Sequence, residues 1–163
     1  MSDIRATFNV LVGELDYPMF IVTAATDAER AGCLVGFATQ TSIDPSRFLV
    51  CLSHQNRTYR VARCAEVLAV HFVAADAVAL AELFGGRTGD QVDKFSQCGW
   101  RLGPGGVPIL DRCENWFVGR VVERLDAGDH DAFLLEPIAA AAGMAPGQFS
   151  FHRAKRIDPG HRV

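Results

Sequence analysis

The sequence predicts a mainly β protein, in which an antiparallel sheet closes into a small barrel with a few short flanking helices. The chain has 163 residues, a length that suits one domain. Short apolar, β-branched runs alternate with turn-forming residues, which is typical of antiparallel sheets. The connections between these runs are too short for the helical crossovers of a parallel sheet. We therefore treat residues 1–163 as a single domain.

Composition excludes several classes of protein. The chain is 49% hydrophobic and 21% charged, so it is expected to fold around a core. Its net charge of -3 disfavours nucleic-acid binding. No apolar run approaches the roughly 18 residues of a membrane span, and residues 1–9 do not resemble a secretory signal. The five cysteines form no Cys-x-x-Cys pair, so we expect no disulfide framework or zinc site, and a cytoplasmic location.

In the first part of the chain, apolar periodicity predicts helices and strands in alternation. Ile4 to Leu15 carries apolar residues at steps of three and four, which indicates a short helix. Met19–Ala25 and Cys33–Ala38 are apolar runs around a polar, glycine-containing turn, and they predict a hairpin. Phe48–Leu52 is expected to be a buried strand, and Thr58–Glu66 has a helical pattern.

The middle of the chain adds a strand, a helix and a long loop. Val67–Val73 is apolar and predicts a strand. Asp76 is a plausible N-cap for a helix over Ala77–Phe84, which Gly85-Gly86 would end. Residues 85–106 are rich in glycine and polar side chains, so we expect a long loop there, of the kind that is usually functional or mobile.

The last part of the chain is predicted to be mostly strands. Trp116–Leu125 alternates between apolar and polar residues, Asp126–Asp129 forms a turn, and Ala132–Ala140 returns as a second strand. Phe149–Arg153 is expected to be a last strand. About seven strands therefore arise from the whole pattern, and this number suits a small barrel.

No familiar nucleotide or hydrolase motif is present, but two polar clusters flank the predicted strand Phe48–Leu52. Thr39–Ser42 precedes the strand, and residues 53–58 follow it at the start of a helix. Free backbone amides, a hydroxyl and an arginine at such a position can hold a phosphate. The same residues also suit a capped helix with solvated side chains, and the pattern alone favours this second interpretation.

Two further segments carry polar groups that could serve a site. Gly128-Asp129-His130 lies at a predicted tight turn, and Gly89–Phe95 is a charged loop with one aromatic residue. Taken alone, both segments are most simply solvated. Their spacing supports no particular coordination geometry, so we predict no metal site. The side chains considered as ligands are Asp90, Asp93, Asp129 and His130.

The order of these weak segments resembles the flavin reductase-like family, which has the FMN-binding split-barrel fold. It is most similar to the flavin domain of high-molecular-weight rubredoxins and to flavoredoxin-type proteins, and the resemblance covers about residues 17–140. The matching segments are Phe20–Ala25, Gly32, Thr41–Pro45, Val50–Leu52, Asn56–Thr58, Leu83–Gly85, Val92–Phe95, Gly106–Ile109, Trp116–Val122 and Gly128–Phe133.

The resemblance implies that FMN, possibly FAD, binds at a homodimer interface, with NAD(P)H as the substrate that reduces it. The family's usual Thr-Ala-Ser-Ser-Phe stretch is here Leu34-Val35-Gly36-Phe37-Ala38. Because its hydroxyls are missing, flavin contacts at these positions would come from backbone amides, and Gly36 would allow close approach. The cofactor-binding residues implied by the resemblance are Leu34, Val35, Gly36, Phe37, Gln40, Thr41, Ser42, Ser53, Asn56, Arg57, Thr58, Asp93, Lys94 and Phe95.

The implied activity is an NAD(P)H-dependent flavin reductase whose reduced FMN serves a partner monooxygenase or another acceptor. Such a reaction needs no protein nucleophile, because the cofactor carries the chemistry. His130 is the expected catalytic residue, on the nicotinamide side. Arg57 and Thr58 would neutralise the phosphate, and Lys94 or a backbone amide would favour reduction. The alternatives are an electron carrier or ferric reductase that holds FMN tightly, and a non-catalytic or deazaflavin-binding protein of the same fold.

Overall fold

A computed structural model describes residues 3–144 and 147–160 of the chain. The strands are β1 (Phe20–Ala25), β2 (Arg30–Val35), β3 (Ala38–Ser42), β4 (Arg47–Ser53), β5 (Val67–Phe72), β6 (Trp100–Leu102), β7 (Pro108–Leu110), β8 (Trp116–Asp126) and β9 (His130–Ala141). The helices are α1 (Ile4–Gly13), α2 (Arg57–Ala62), α3 (Val78–Gly86) and α4 (Phe151–Ala154). The mainly β prediction is confirmed.

Seven of the strands form one antiparallel sheet, in the order β2-β1-β5-β8-β9-β4-β3. β6 and β7 form a separate two-stranded sheet. The predicted closure into a barrel is wrong, because no ladder joins the edge strands β2 and β3 within the described ranges. The chain passes between these edges at Gly36 and Phe37. At this crossing the Phe37 carbonyl accepts a hydrogen bond from the Cys51 N–H of β4 at 2.8 Å.

Apolar side chains pack on both faces of β1 because successive residues of a strand point in opposite directions. Phe20 and Val22 join the cluster that contains buried residues of α2, β4 and β9. Ile21 joins the cluster that contains buried residues of α3. Both helices also contact β2. This edge strand therefore has α2 and α3 beside it, and the arrangement positions the candidate site.

Several predicted boundaries differ from the structure. Residues 38–42 form an exposed to half-buried strand that the apolar pattern missed, because its side chains are mostly polar. Phe149–Arg153 is not a strand. Only Ser150 makes a bridge, to Pro18, and the chain then turns into α4, where Phe151 stacks on Tyr17 with ring centroids 4.6 Å apart.

The helix α3 begins without the predicted cap. Its N-cap residue is Ala77, which makes no side-chain capping bond. The Asp76 carboxylate lies 3.6 Å from the guanidinium of Arg112 instead. The helix includes Gly86 rather than ending before the two glycines, and the predicted loop 85–106 contains a short 3-10 helix at Lys94–Ser96 as well as β6. Among the described residues, no helix is long and apolar enough to cross a bilayer.

Candidate functional site: two clefts along an edge strand

Two adjoining clefts follow β2 and the start of α2. Cleft A, of about 280 Å³, is bounded by Cys33–Phe37, by residues 51–56 after and within β4, and by the β8–β9 turn. Cleft B, of about 260 Å³, is bounded by Arg30–Gly32, by Arg57 and Thr58, and by residues 89–95. Consecutive residues of the same two elements line both clefts. A long ligand could therefore occupy them together.

The open edge of β2 supplies backbone hydrogen-bonding groups to cleft A. In an antiparallel pair, alternate residues of an edge strand direct their N–H and C=O away from the partner strand. The Gly32 carbonyl is directed away from β1, because it accepts a hydrogen bond from Lys94 Nζ at 2.9 Å. Leu34 lies two residues further along and pairs with Ile21 in the same ladder. Its N–H and C=O are therefore also directed toward the open edge.

His130 lies at the mouth of cleft A, where β9 begins. The turn before it contains Gly128 with φ of 122°, a conformation that favours glycine. The His130 ring is held by the carboxylate of Asp129, with Nδ1 and Oδ1 2.6 Å apart, and lies 5.2 Å from the Phe37 ring between centroids. The hydrogen bond to His130 is the main cause that keeps the pKa of Asp129 below its ordinary value.

A second histidine, His54, also lines cleft A, although its sequence context did not mark it as a site residue. His54 Nε2 lies 2.8 Å from Asp131 Oδ1, and the Tyr59 hydroxyl donates to the other oxygen of the same carboxylate at 3.0 Å. The hydrogen bond to His54 lowers the pKa of Asp131. The histidine follows a buried strand in the sequence, but its carboxylate partner is 77 residues away, so no local pattern could reveal the pair.

Arg57 in cleft B is already engaged by protein groups. Its Nη1 donates to the Gly89 carbonyl and its Nη2 to Glu29 Oε2, both at 2.9 Å. A guanidinium has five N–H donors, so it can make these two bonds and still donate to a phosphate. Asn56 caps α2, since its Oδ1 accepts from the Thr58 N–H at 2.9 Å.

In the segment Asp93-Lys94-Phe95, Lys94 and Phe95 are buried against the body of the protein, whereas Asp93 is exposed. Lys94 is only 4% exposed, and its Nζ donates to the carbonyls of Gly32 and Phe84 at 2.9 and 3.1 Å. Burial lowers the pKa of this ammonium. Asp93 Oδ1 accepts from the Phe95 N–H at 3.1 Å, and the Phe95 ring packs in the α3 cluster. Lys94 therefore joins the loop to β2 and α3 as well as lining cleft B.

The structure places most, but not all, of the expected residues at the clefts. Gln40, Thr41 and Ser42 lie on β3 and line neither cleft. Cys51 belongs to the strand Phe48–Leu52 that was expected to be buried, but it is half-buried and lines cleft A. The expected residues at cleft A are Leu34, Val35, Gly36, Phe37, Ser53, Asn56 and His130. Those at cleft B are Arg57, Thr58, Asp93, Lys94 and Phe95.

Comparison with known proteins identifies the family. The sequence model of the flavin reductase like domain matches residues 12–155. The chain belongs to the flavin reductase-like domain family. The resemblance found in the sequence is therefore confirmed, and the two clefts are features of a flavin reductase-like domain.

Relatives of this flavin reductase-like domain include "FMN reductase (NADH) RutF" of Variovorax paradoxus (strain S110). That protein is 31% identical over 141 residues, which cover 86% of this chain and 78% of the relative. The flavin reductase domain protein of Arthrobacter sp. FB24 has a similar fold, with a TM-score of 0.83 at 22% identity and 92% of each chain covered. An FMN-binding protein of Thermus thermophilus, solved with 1-cyclohex-2-enone, gives a TM-score of 0.73 at 26% identity. The alignment covers 78% of this chain and 71% of that one.

The residues of cleft A fit a flavin ring. An isoalloxazine has an apolar benzenoid end and a polar edge of hydrogen-bond donors and acceptors. The cleft offers apolar side chains from Leu34, Val35 and Leu52 and the open backbone edge of β2. Polar side chains of Ser53 and His130 lie at its rim. Apolar walls with a few convergent polar groups are typical of cofactor sites.

Proposed function

We propose that this chain is an NAD(P)H-dependent flavin reductase, which reduces FMN with a hydride from the nicotinamide. The observation that carries the proposal is cleft A, an apolar cleft beside an open strand edge in a flavin reductase-like domain. The printed name of the Variovorax relative, an NADH-dependent FMN reductase, supports the same activity. When bound, FMN supplies the hydride-accepting chemistry, and the protein supplies binding and orientation.

The roles of the site residues follow from their places at the clefts. The backbone of Leu34–Phe37 would hold the flavin ring, while Ser53, Asn56, Arg57 and Thr58 would hold the ribityl phosphate. His130, oriented by Asp129 at the mouth of cleft A, would contact the nicotinamide. Lys94 Nζ donates to the carbonyls of Gly32 and Phe84. It would therefore affect the flavin by fixing the position of the loop to which it belongs. We interpret the open sheet as the family's split barrel.

A second copy of the chain would complete the site. Gln40, Thr41 and Ser42 lie on the edge strand β3, outside both clefts of one chain. They would reach a flavin only if a homodimer brought this edge to the partner's cleft. The reduced flavin would then pass to a partner oxygenase or another acceptor. The free state of all five cysteines fits a reducing, cytoplasmic setting.

The test of the proposal is an absorbance spectrum of the purified protein with FMN, before and after addition of NADH or NADPH. We expect flavin bands that bleach with a nicotinamide donor. FMN that remains bound through desalting would favour the electron carrier over a reductase that releases its flavin. Protein that neither binds FMN nor oxidises either nucleotide would contradict the proposal, and a deazaflavin would then be the ligand to test.

The site assignment has its own test. Arg57→Ala and Thr58→Ala should each weaken FMN binding by roughly tenfold, since each removes a donor to the phosphate. His130→Ala should slow NAD(P)H oxidation at saturating flavin. Asp111→Ala is the control. Asp111 pairs with Arg101 at 2.9 Å, and both residues are exposed and line neither cleft. Unchanged FMN affinity in the first two variants would contradict the phosphate site, and an unchanged rate would exclude His130 from the reaction.

A further inference from the structure

A short segment after α3 forms part of the wall of cleft B. Residues 87–93, here called the strap, follow α3, and Gly89–Asp93 within them line cleft B together with Arg30–Gly32. The strap folds back on itself, since the N–H groups of Gln91 and Val92 both donate to the Thr88 carbonyl at 3.1 Å. These bonds stabilise its shape but do not attach it to the rest of the protein.

Two arginines of α2 attach the strap. Arg57 Nη1 donates to the carbonyl of Gly89 at 2.9 Å, and Arg60 Nη2 donates to Asp90 Oδ1 at 2.6 Å. The Asp90 carboxylate also lies 3.9 Å from Arg57 Nη1, so it is shared by two guanidiniums. Arg57 is anchored in turn by Glu29, from the β1–β2 turn, at 2.9 Å. The hydrogen bond from Arg60 is the main cause that lowers the pKa of Asp90.

Because this network holds the strap at cleft B, it would limit how far a ligand can extend through both clefts. A flavin whose ring occupies cleft A would direct its side chain into cleft B, toward Arg57 and the strap. FMN ends at its phosphate and, bound in this way, would not need to extend past the strap. FAD continues from that phosphate into a second phosphate and adenosine, and this extension would have to pass the strap. Opening the strap requires that Asp90 leave both arginines.

We propose that Asp90 is a specificity-determining residue, which holds the strap across cleft B and thereby favours FMN over FAD. This inference rests on the proposed function and names the flavin that the same site selects. An exposed ion pair is individually weak, but Asp90 belongs to a network of four charged side chains that joins three segments of the chain. Its loss should therefore change flavin preference by roughly threefold to tenfold.

The experiment compares Asp90→Ala and Arg60→Ala with the wild type and with Asp111→Ala as the matched control. The control removes another exposed aspartate from an ion pair with arginine, at 2.9 Å and outside both clefts. Dissociation constants for FMN and for FAD are measured by fluorescence titration. Hydrogen–deuterium exchange of residues 87–93 is measured without flavin. We expect faster exchange in the strap of both variants and a fall in the ratio of the FAD to the FMN dissociation constant.

The outcomes separate the two proposals. Unchanged strap exchange in Asp90→Ala, or an unchanged FAD-to-FMN ratio despite faster exchange, would overturn the role of Asp90 and leave the reductase assignment intact. A wild type that prefers FAD would also overturn it. A wild type that binds neither flavin would contradict the proposed function, and the specificity role would fail with it.

Discussion

His71 shows how a single side chain joins three strands of this fold. It is fully buried on β5, its Nδ1 lies 2.9 Å from the Ile21 carbonyl on β1, and its Nε2 accepts from the Leu110 N–H on β7 at 3.0 Å. The carbonyl requires a proton on Nδ1 and the amide requires a lone pair on Nε2, so the ring is neutral. Burial is the main cause that lowers its pKa from 6.5 to about 4.

This histidine makes the stability of the protein depend on pH. The unfolded chain binds a proton near pH 6.5 and the folded chain only near pH 4, so between these values the unfolded state binds more protons. The free energy of unfolding should therefore be highest above pH 6.5 and should fall as the pH is lowered. The loss approaches roughly 3 kcal/mol below pH 4. Urea unfolding from pH 7.5 to 4 would measure it.

The matched variant for this prediction is His71→Gln. It should be less stable than the wild type at pH 7.5, because hydrogen bonds to β1 and β7 are weakened. It should also lose less stability on acidification, because the buried titrating group is gone. Comparing the two slopes cancels the contributions of the other histidines. Equal slopes in the two proteins would contradict the neutral, buried state of His71.

At the scale of elements, β2 and α3 pack closely because Gly32 has no side chain. A Cβ at this position would lie 2.7 Å from Phe84 Cε1 and 3.2 Å from Thr23 Cγ2. The Thr23 hydroxyl is itself fixed, since it donates to the Pro108 carbonyl at 2.6 Å in the interior. The Gly32 carbonyl also accepts from Lys94. This one residue therefore sets the distance between strand and helix and helps to fix the loop beside cleft B.

Gly32→Ala should lower the free energy of unfolding by about 1–3 kcal/mol, because the added methyl group overpacks this contact. Urea denaturation measures the change. Gly13→Ala is the matched control, since nothing lies within 4 Å of its Cβ position at the end of α1. The control should be neutral or slightly stabilising, because alanine favours helix over glycine. Similar stabilities for the two variants would show that Gly32 is not tightly packed.

At the scale of the whole molecule, α1 keeps its apolar side chains exposed within one chain. None of its residues is buried, and Ile4, Phe8 and Leu11 are 83%, 59% and 64% exposed. A helix of ten residues is marginal in water without tertiary contacts. Large exposed apolar side chains along one helix stripe are typical of a surface that packs against another protein.

We expect the protein to be a homodimer in solution, in which α1 is covered. Phe8→Ser combined with Leu11→Ser should weaken the dimer, because two large apolar side chains of the stripe are lost. Sedimentation equilibrium over a range of concentrations measures the association. Asn9→Ser, in the same helix but polar in the native chain, serves as the control. A wild type that stays monomeric at tens of micromolar would contradict the dimer proposal.

Much of the fold was predictable from local pattern. Apolar runs predicted β1, β2, β4 and β5, and the alternation of apolar and polar residues predicted β8, with β9 as its return strand. The apolar pattern missed β3, because this half-exposed edge strand consists mostly of polar residues. It assigned a strand to residues 149–153, because apolar composition alone does not distinguish a strand from a single helical turn held by the Tyr17–Phe151 stack. For the site, the order of motifs indicated the family, and most of the residues that it marked line one of the two clefts.

The sequence by itself determined the antiparallel β class, the family and several segments that line the candidate clefts, because these depend on short-range periodicity and on motif order. Only the tertiary structure decided that the sheet stays open and that Arg57 is already bound to Glu29 and Gly89. It also decided that the Lys94 ammonium donates to two carbonyls and that His54 pairs with Asp131. Each of these contacts joins elements separated by other segments of the chain. Their existence therefore depends on how strands and helices pack in space, which no local pattern contains.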